Sequence, residues 1–347
     1  MTDTPRTRRS RSIHRSRNTH RAHRLGAGIA ALSALALSAC GLQPSAAYIP
    51  SVDAASIEEI PGAADGGALT VTSKNFTEAV ILGKISVIAA EAAGFSVTDL
   101  TNVPGSVSAR KLMTSGQADL TWEYTGTAWL TYLNEEEGIP DPHDQWEAVH
   151  DADLANGLTW GEAAELNNSY GMAIRSDAPG ELGEVTKMSQ LAELPPEERT
   201  ICVAAEFNSR PDGLTPLLEA YGIPRGEPDG TPEDNIGIYD AGPIYAATAD
   251  GQCNFGNVYL TDGRIKAMNL LVLEDDEQFF PAYNAAPVFF TQTLEEYPEL
   301  EDLYAPIAEK LTTEQMQELN RQVDVDGDDP VDVALRWMVD EGFVTER

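Results

Sequence analysis

Residues 115–124, Ser115-Gly116-Gln117-Ala118-Asp119-Leu120-Thr121-Trp122-Glu123-Tyr124, lay over residues 250–259, Asp250-Gly251-Gln252-Cys253-Asn254-Phe255-Gly256-Asn257-Val258-Tyr259. Each stretch reads as a helix end, a Gly-Gln turn, a short apolar strand and then a tyrosine. Upstream of each tyrosine, a basic residue follows an apolar strand. Lys74 follows Leu69–Thr72, and Arg210 follows Ile201–Ala205. The cation-to-tyrosine spacings are 50 and 49 residues. The repeat predicts two lobes of similar construction, each placing a cation and a tyrosine at the carboxyl ends of its strands. In open α/β sheets that edge is where ligands bind.

Working outward, Leu69-Thr70-Val71-Thr72 predicts a strand, and residues 75–93 a helix with Asn75 as N-cap and Glu78 three residues on. Ile81, Ile85, Ile88 and Ala92 supply its apolar face, and Gly94 ends it. Residues 95–97 read as extended, 107–115 as a helix and 118–122 as a strand. This alternation predicts an α/β fold, each lobe a mostly parallel sheet flanked by helices. The expected first lobe takes residues 68–169 plus 270–347, and the second 170–269. The Pro- and Gly-rich segment 223–232 reads as a surface insertion in the second lobe. The tail predicts helices over 294–309, 313–321 and 331–341 that pack back on the first lobe. Two chain crossings then make a hinge, with the ligand site in the cleft between the lobes.

The 347 residues suffice for two domains, and 42% are hydrophobic, enough for a sizeable core. Removing the eight arginines and one aspartate of residues 1–39 takes the formal net charge from −33 to −40. A body this acidic excludes nucleic acid as a partner. Carboxylates are so numerous that pairs suited to acid–base work carry no signal. There is no GxSxG, GxGxxG, HExxH or CxxC pattern, so no enzyme and no cofactor are expected. His143 and His150 lie in a polar segment and read as solvated. Asp324-Val325-Asp326-Gly327-Asp328-Asp329 lacks the glycine and glutamate spacing of a calcium loop. It reads instead as acidic capping ahead of Pro330, and no metal site is expected.

The N-terminus reads as an address. A basic stretch ends at Arg24, and an apolar run of 15 residues follows, Leu25–Ala39. That is short for a membrane span and suited to a signal peptide. Leu37-Ser38-Ala39-Cys40-Gly41 resembles the bacterial lipobox, which implies cleavage after residue 39 and lipidation of Cys40. Residues 40–67 then read as the lipidated cysteine and a flexible tether. Cys202 and Cys253 each sit in a short apolar run, and an exported context permits a disulfide. Neighbouring strands would bring them together; two buried free thiols are the alternative.

Several motifs together resemble the glycine betaine/choline/proline betaine binding proteins of ABC importers. They are Ser73-Lys74-Asn75-Phe76-Thr77-Glu78, Glu123-Tyr124-Thr125-Gly126-Thr127-Ala128-Trp129, Asn167-Asn168-Ser169-Tyr170 and Thr261-Asp262-Gly263-Arg264-Ile265. Leu273-Glu274-Asp275-Asp276, Phe279-Phe280-Pro281-Ala282-Tyr283 and residues 316–326 fit as well. The resemblance covers about residues 68–345. It implies the two-lobed type II periplasmic-binding-protein fold and a lipid-anchored monomer on the outer face of the cytoplasmic membrane. The implied partners are a small quaternary-ammonium ligand, an ABC permease and its ATPase.

A trimethylammonium group has no N–H to donate, so it is held by aromatic faces, each worth about 0.5–2 kcal/mol. The resemblance implies that Tyr124, Tyr170, Tyr259 and Tyr283 form this cage. It implies that Lys74, Thr127 and Arg210 hold a ligand carboxylate, with Glu206 and Asn168 lining the pocket. Arg210 offers a bidentate fork, and Lys74 precedes a helix N-terminus that attracts anions. Two departures stand out: Ala79 where some relatives carry Gln, and Asn257-Val258-Tyr259-Leu260 in place of Asp-Ala-Tyr-Ser. Glycine betaine is the expected ligand; choline, carnitine and a purely sensing role are the alternatives.

Overall fold

The computed structural model describes residues 49–180, 182–210 and 212–347. The leader over 1–39, the lipidation site Cys40 and the start of the tether lie outside the described residues. Twelve strands follow one another along this part of the chain. They are β1 (Val52–Ala54), β2 (Ala68–Lys74), β3 (Ser96–Val103), β4 (Leu120–Tyr124), β5 (Leu158–Trp160) and β6 (Tyr170–Arg175). Then come β7 (Ile201–Ala204), β8 (Ile236–Tyr239), β9 (Phe255–Tyr259), β10 (Leu270–Val272), β11 (Ala285–Phe290) and β12 (Val344–Glu346).

Two five-stranded sheets result, β3-β2-β4-β11-β5 and β8-β7-β9-β6-β10. Their pairing senses match strand by strand. In the first, β2 is parallel to β3 and β4, and β11 is antiparallel to β4 and β5. In the second, β7 is parallel to β8 and β9, and β6 is antiparallel to β9 and β10. The repeat therefore maps one sheet onto the other: β4 and β9 share the central place, β2 ends in Lys74, and the short helix Ala205–Ser209 that follows β7 ends at Arg210. This is the type II periplasmic-binding-protein fold.

Each sheet is mixed: four strands run one way, and one, β11 in the first and β6 in the second, runs against them. The chain crosses to the second sheet after β5 and returns after β10, and the arriving strands β6 and β11 run against their neighbours. Apolar periodicity reports burial and carries no strand sense. The strand Leu270–Val272 pairs with β6, so the second sheet extends past the boundary expected at residue 269. The described residues all fall within one compact unit.

The helix after β2 spans Thr77–Ala92, two residues later than its expected cap. Asn75 stays outside because its Oδ1 accepts the Gly105 backbone N–H at 3.2 Å instead. Ile81, Leu82, Ile85, Val87 and Ile88 are all buried. The helix packs against β2, β3 and β4 as well as against the helices Thr313–Asp324 and Pro330–Asp340. Ser86 in it accepts the Trp122 indole N–H at 2.8 Å, and its carbonyl accepts the Tyr304 hydroxyl at 2.9 Å. Asp329 caps the last helix by accepting the Val331 N–H, in keeping with the capping role read from its acidic run.

Residues 49–67 are not a free tether. β1 pairs with the C-terminal β12, and Val52, Ile57, Ile60 and Ala63 are buried. Apart from the short β1, these contacts are made from irregular chain and a turn, so they leave no period in the sequence. In the second half, Cys202 of β7 and Cys253 form a disulfide with Cα atoms 5.8 Å apart. Parallel pairing of Ile201 with Phe255 brings them together. The buried Arg199 donates to five carbonyls, of Leu191, Ala192, Leu194, Asp229 and Gly230. It ties the 223–232 segment down; Ile223 and Thr231 there are buried.

Candidate ligand cleft

The antiparallel strands that the sequence reading missed are what assemble the site. Because β6 runs against β9, its first residue lies at the last residue of β9, and Tyr170 pairs with Tyr259. The same relation pairs Ala285, two residues after Tyr283, with Tyr124 at the end of β4. Each half thus brings two of the four tyrosines to its strand edge. Tyr124, Tyr170 and Tyr283 are buried and Tyr259 is half-buried. The Tyr170 ring centroid lies 5.2 Å from that of Tyr259 and 5.7 Å from that of Tyr283, the latter edge-on at 88°.

All nine residues singled out for ligand contact line a single cavity of about 40 Å³: Lys74, Tyr124, Thr127, Asn168, Tyr170, Glu206, Arg210, Tyr259 and Tyr283. Thr127 sits in the helical turn directly after Tyr124. Gly126 in that turn is required, since a Cβ there would meet the Tyr283 ring at 2.7 Å. Ala79 is buried in its helix and is not among the lining residues.

Two aromatic residues join the tyrosines unforeseen. Phe76 lies 5.9 Å from Tyr124 and stacks at 6.1 Å on Tyr259, bridging the two halves. Phe207 lies 4.8 Å from Tyr170. A signal existed: each is a phenylalanine within three residues of its lobe's cation. Burial pushes the phenols of Tyr124, Tyr170 and Tyr283 well up. Burial and the nearby Glu206 push Tyr259 to about 12. All four phenols are therefore neutral near pH 7.

Both cations already carry carboxylate partners, which the sequence did not reveal. Lys74 pairs with Glu123, a buried neighbour of Tyr124. Its Nζ also sits 4.5 Å above the Tyr124 ring and 5.7 Å from that of Phe76. Arg210 grips Asp212 with two bonds, Nε to Oδ1 at 2.7 Å and Nη2 to Oδ2 at 2.6 Å, and lies 5.4 Å over Tyr170. The Tyr283 hydroxyl donates to the same Asp212. Burial opposes the Arg210 charge, but the paired Asp212 outweighs it and holds the guanidinium protonated. Glu206 stands 3.6 Å from Arg210 and accepts the Ser106 hydroxyl at 3.1 Å, reaching from one half to the other at the cavity's rim.

Glu123 takes the Tyr132 hydroxyl at 2.9 Å and the Tyr124 backbone N–H at 3.0 Å in addition to Lys74. Its carboxylate is thereby fully engaged, and so it holds Lys74 rigidly over the ring. Donors remain for a guest. Lys74 has three N–H groups and Arg210 keeps Nη1 clear of Asp212. Asn168 donates to Glu78 at 3.0 Å, while its Oδ1 is buried with no partner in the described protein.

Residues 67–340 match the family model described as the substrate binding domain of an ABC-type glycine betaine transport system. The chain is 37% identical over 285 residues to the glycine-betaine-binding protein of Pseudomonas aeruginosa, covering 80% of this chain and 89% of that one. It is 30% identical to the carnitine transport binding protein OpuCC of Listeria monocytogenes, over 71% of this chain and 77% of that one. Among solved structures, a glycine betaine/carnitine/choline ABC transporter protein superposes with a TM-score of 0.67 at 25% identity, over 79% of this chain and 99% of that one. These are transport binding proteins rather than an enzyme class, and the substrate-binding component of an importer works outside the cytoplasm. Among the described residues no helix is long and apolar enough to cross a membrane. The chain belongs to the family of substrate-binding proteins of glycine betaine-type ABC transporters.

Proposed function

We propose that the protein captures a small quaternary-ammonium solute, glycine betaine first, between its two halves and delivers it to an ABC permease, working as a monomer tethered through a lipid on Cys40. The reading rests above all on one observation: a cationic nitrogen, Lys74 Nζ, already lies 4.5 Å over the face of Tyr124. That face accepts positive charge, and three more tyrosines border the same cavity. The methylated ammonium binds against these faces, which suits a group unable to donate hydrogen bonds. The carboxylate takes the spare N–H groups of Lys74 and Arg210 and the hydroxyl of Thr127. Aromatic side chains from both halves contribute, so binding favours the closed arrangement over the open one.

Choline is the second reading, and a specific observation favours it. Lys74 and Arg210 are each neutralised by an internal carboxylate, and Glu206 adds a further acid, so the cavity needs no ligand anion to balance it. Calorimetric titration of the purified protein with glycine betaine, choline and carnitine separates the readings. Saturable binding is expected, weakened about 30-fold in Tyr124→Ala, which corresponds to about 2 kcal/mol of cation–π attraction. Folded protein giving no saturable heat with any of the three would sink the quaternary-ammonium assignment.

A further inference from the structure

One buried carboxylate beside the cage is not explained by ligand contact. Glu78 stands in the first turn of the helix Thr77–Ala92 and is 2% exposed. Among the described residues it has no ion-pair partner. It instead gathers donors from three separate elements. Its Oε1 accepts the Tyr124 hydroxyl at 2.7 Å, from the end of β4, and the Asn168 amide at 3.0 Å, from the crossing before β6. Its Oε2 accepts the Asn320 amide at 3.2 Å, from the helix Thr313–Asp324. The same Asn320 amide donates to the Thr261 carbonyl at 3.0 Å, just after β9 of the other half.

Burial pushes the Glu78 carboxyl up, while hydrogen bonds from Thr261, Tyr124, Asn320 and Asn168 pull it back. An acid buried without a cation is costly, and an apolar side chain would pack this site more cheaply. What the carboxylate supplies is direction. A phenol whose hydroxyl is anchored cannot swing its ring away, and an acceptor at the hydroxyl polarises the ring toward a more negative face. The anchored ring is the one that carries the Lys74 ammonium on its face.

We propose that Glu78 is a positioning residue of the cage: through the Tyr124 hydroxyl it fixes the ring against which the ligand ammonium binds, and the Asn168 and Asn320 amides hold the carboxylate in place. The inference rests on the quaternary-ammonium reading above. The test is a double-mutant cycle on the purified protein, with glycine betaine and choline titrated into wild type, Glu78→Met (which removes the acceptor, where Gln would keep one), Tyr124→Phe and the double variant. Unfolding midpoints of the ligand-free proteins are measured alongside.

Each single variant is expected to bind about 10-fold more weakly, and the double variant also about 10-fold, because both substitutions break the same link. A role confined to stability would lower the midpoints without that non-additivity. A Glu78→Met affinity equal to wild type, or a double variant weakened by the product of the single losses, would overturn the proposal. If Glu78→Met does not fold, Tyr124→Phe alone decides. Wild-type affinity there would overturn it, since the ring would need no anchor, and a loss near 10-fold would support it. Wild-type protein that binds neither ligand would instead overturn the underlying reading, a result plainly distinct from loss in a variant.

Discussion

The two halves share a strand order and pairing pattern yet are stabilised by different means. The first sheet is covered by a helix that is buried nearly all round, clamped between β2–β4 and the C-terminal helices. Its central strands need no covalent help. The second sheet lacks such a third layer of long helices. Its strands β7 and β9 are tied by the Cys202–Cys253 bridge, and its long loop is held by Arg199 donating to five carbonyls. Where there is less apolar area to bury, cross-links and satisfied polar groups replace it. The difference teaches that similarity of topology does not imply similarity of the forces beneath it. Both halves nevertheless deliver the same pieces to the cleft: a cation on an aromatic face, an internal carboxylate and two tyrosines.

Three variants probe this contrast. The largest effect is expected for Cys202→Ser with Cys253→Ser. Opening a loop with a sequence separation of 51 should lower unfolding free energy by about 4 kcal/mol. Denaturant titration measures it, and amide exchange should quicken in β7–β9 before β2–β4. Equal quickening in both sheets would break the contrast. Next, Arg199→Lys should cost about 2–3 kcal/mol, because one ammonium cannot reach carbonyls arranged for a planar fork, and those left over are buried without partners. A loss under 0.5 kcal/mol (on the order of a surface substitution) would show that the loop holds itself.

The smallest effect belongs to the first half. Asp99 of β3 pairs with Lys84 of the buried helix and accepts from Thr101. Burial tends to raise its pKa, but the bonds from Lys84 and Thr101 prevail and hold it below the usual carboxylate range. A depressed folded pKa contributes stability above the ordinary Asp value, and that contribution is lost as pH falls through the folded value. Lys84→Met should therefore cost about 1 kcal/mol near pH 7, with the deficit shrinking as the solution is acidified through the acid range. A deficit independent of pH would mean that the lysine stem, rather than its charge, matters.

Much of the site was legible in the residues alone. A cation and a tyrosine spaced alike in two lobes marked the strand edges, and the nine residues drawn from the repeat and the resemblance line one cavity. Phe76 stood inside a quoted motif and was passed over, since one phenylalanine in a motif reads as core. The pairings of Lys74 with Glu123 and of Arg210 with Asp212 were not legible. Carboxylates are so abundant in this chain that adjacency to a cation carries no weight until geometry selects a partner. The packing of residues 49–67 was not legible because Ile57, Ile60 and Ala63 are buried from irregular chain and a turn, where burial leaves no period.

By itself the sequence determined the α/β alternation, the twofold internal likeness, and which side chains end the strands, because these depend on local periodicity and spacing. Only the tertiary structure decided the strand senses and the site that they build. β6 and β11 run backwards because the chain crosses between halves, and that reversal is what sets Tyr170 against Tyr259 and brings Tyr283 beside Tyr124. Strand sense and the choice of charge partner depend on contacts between residues far apart in the chain, which no local pattern encodes.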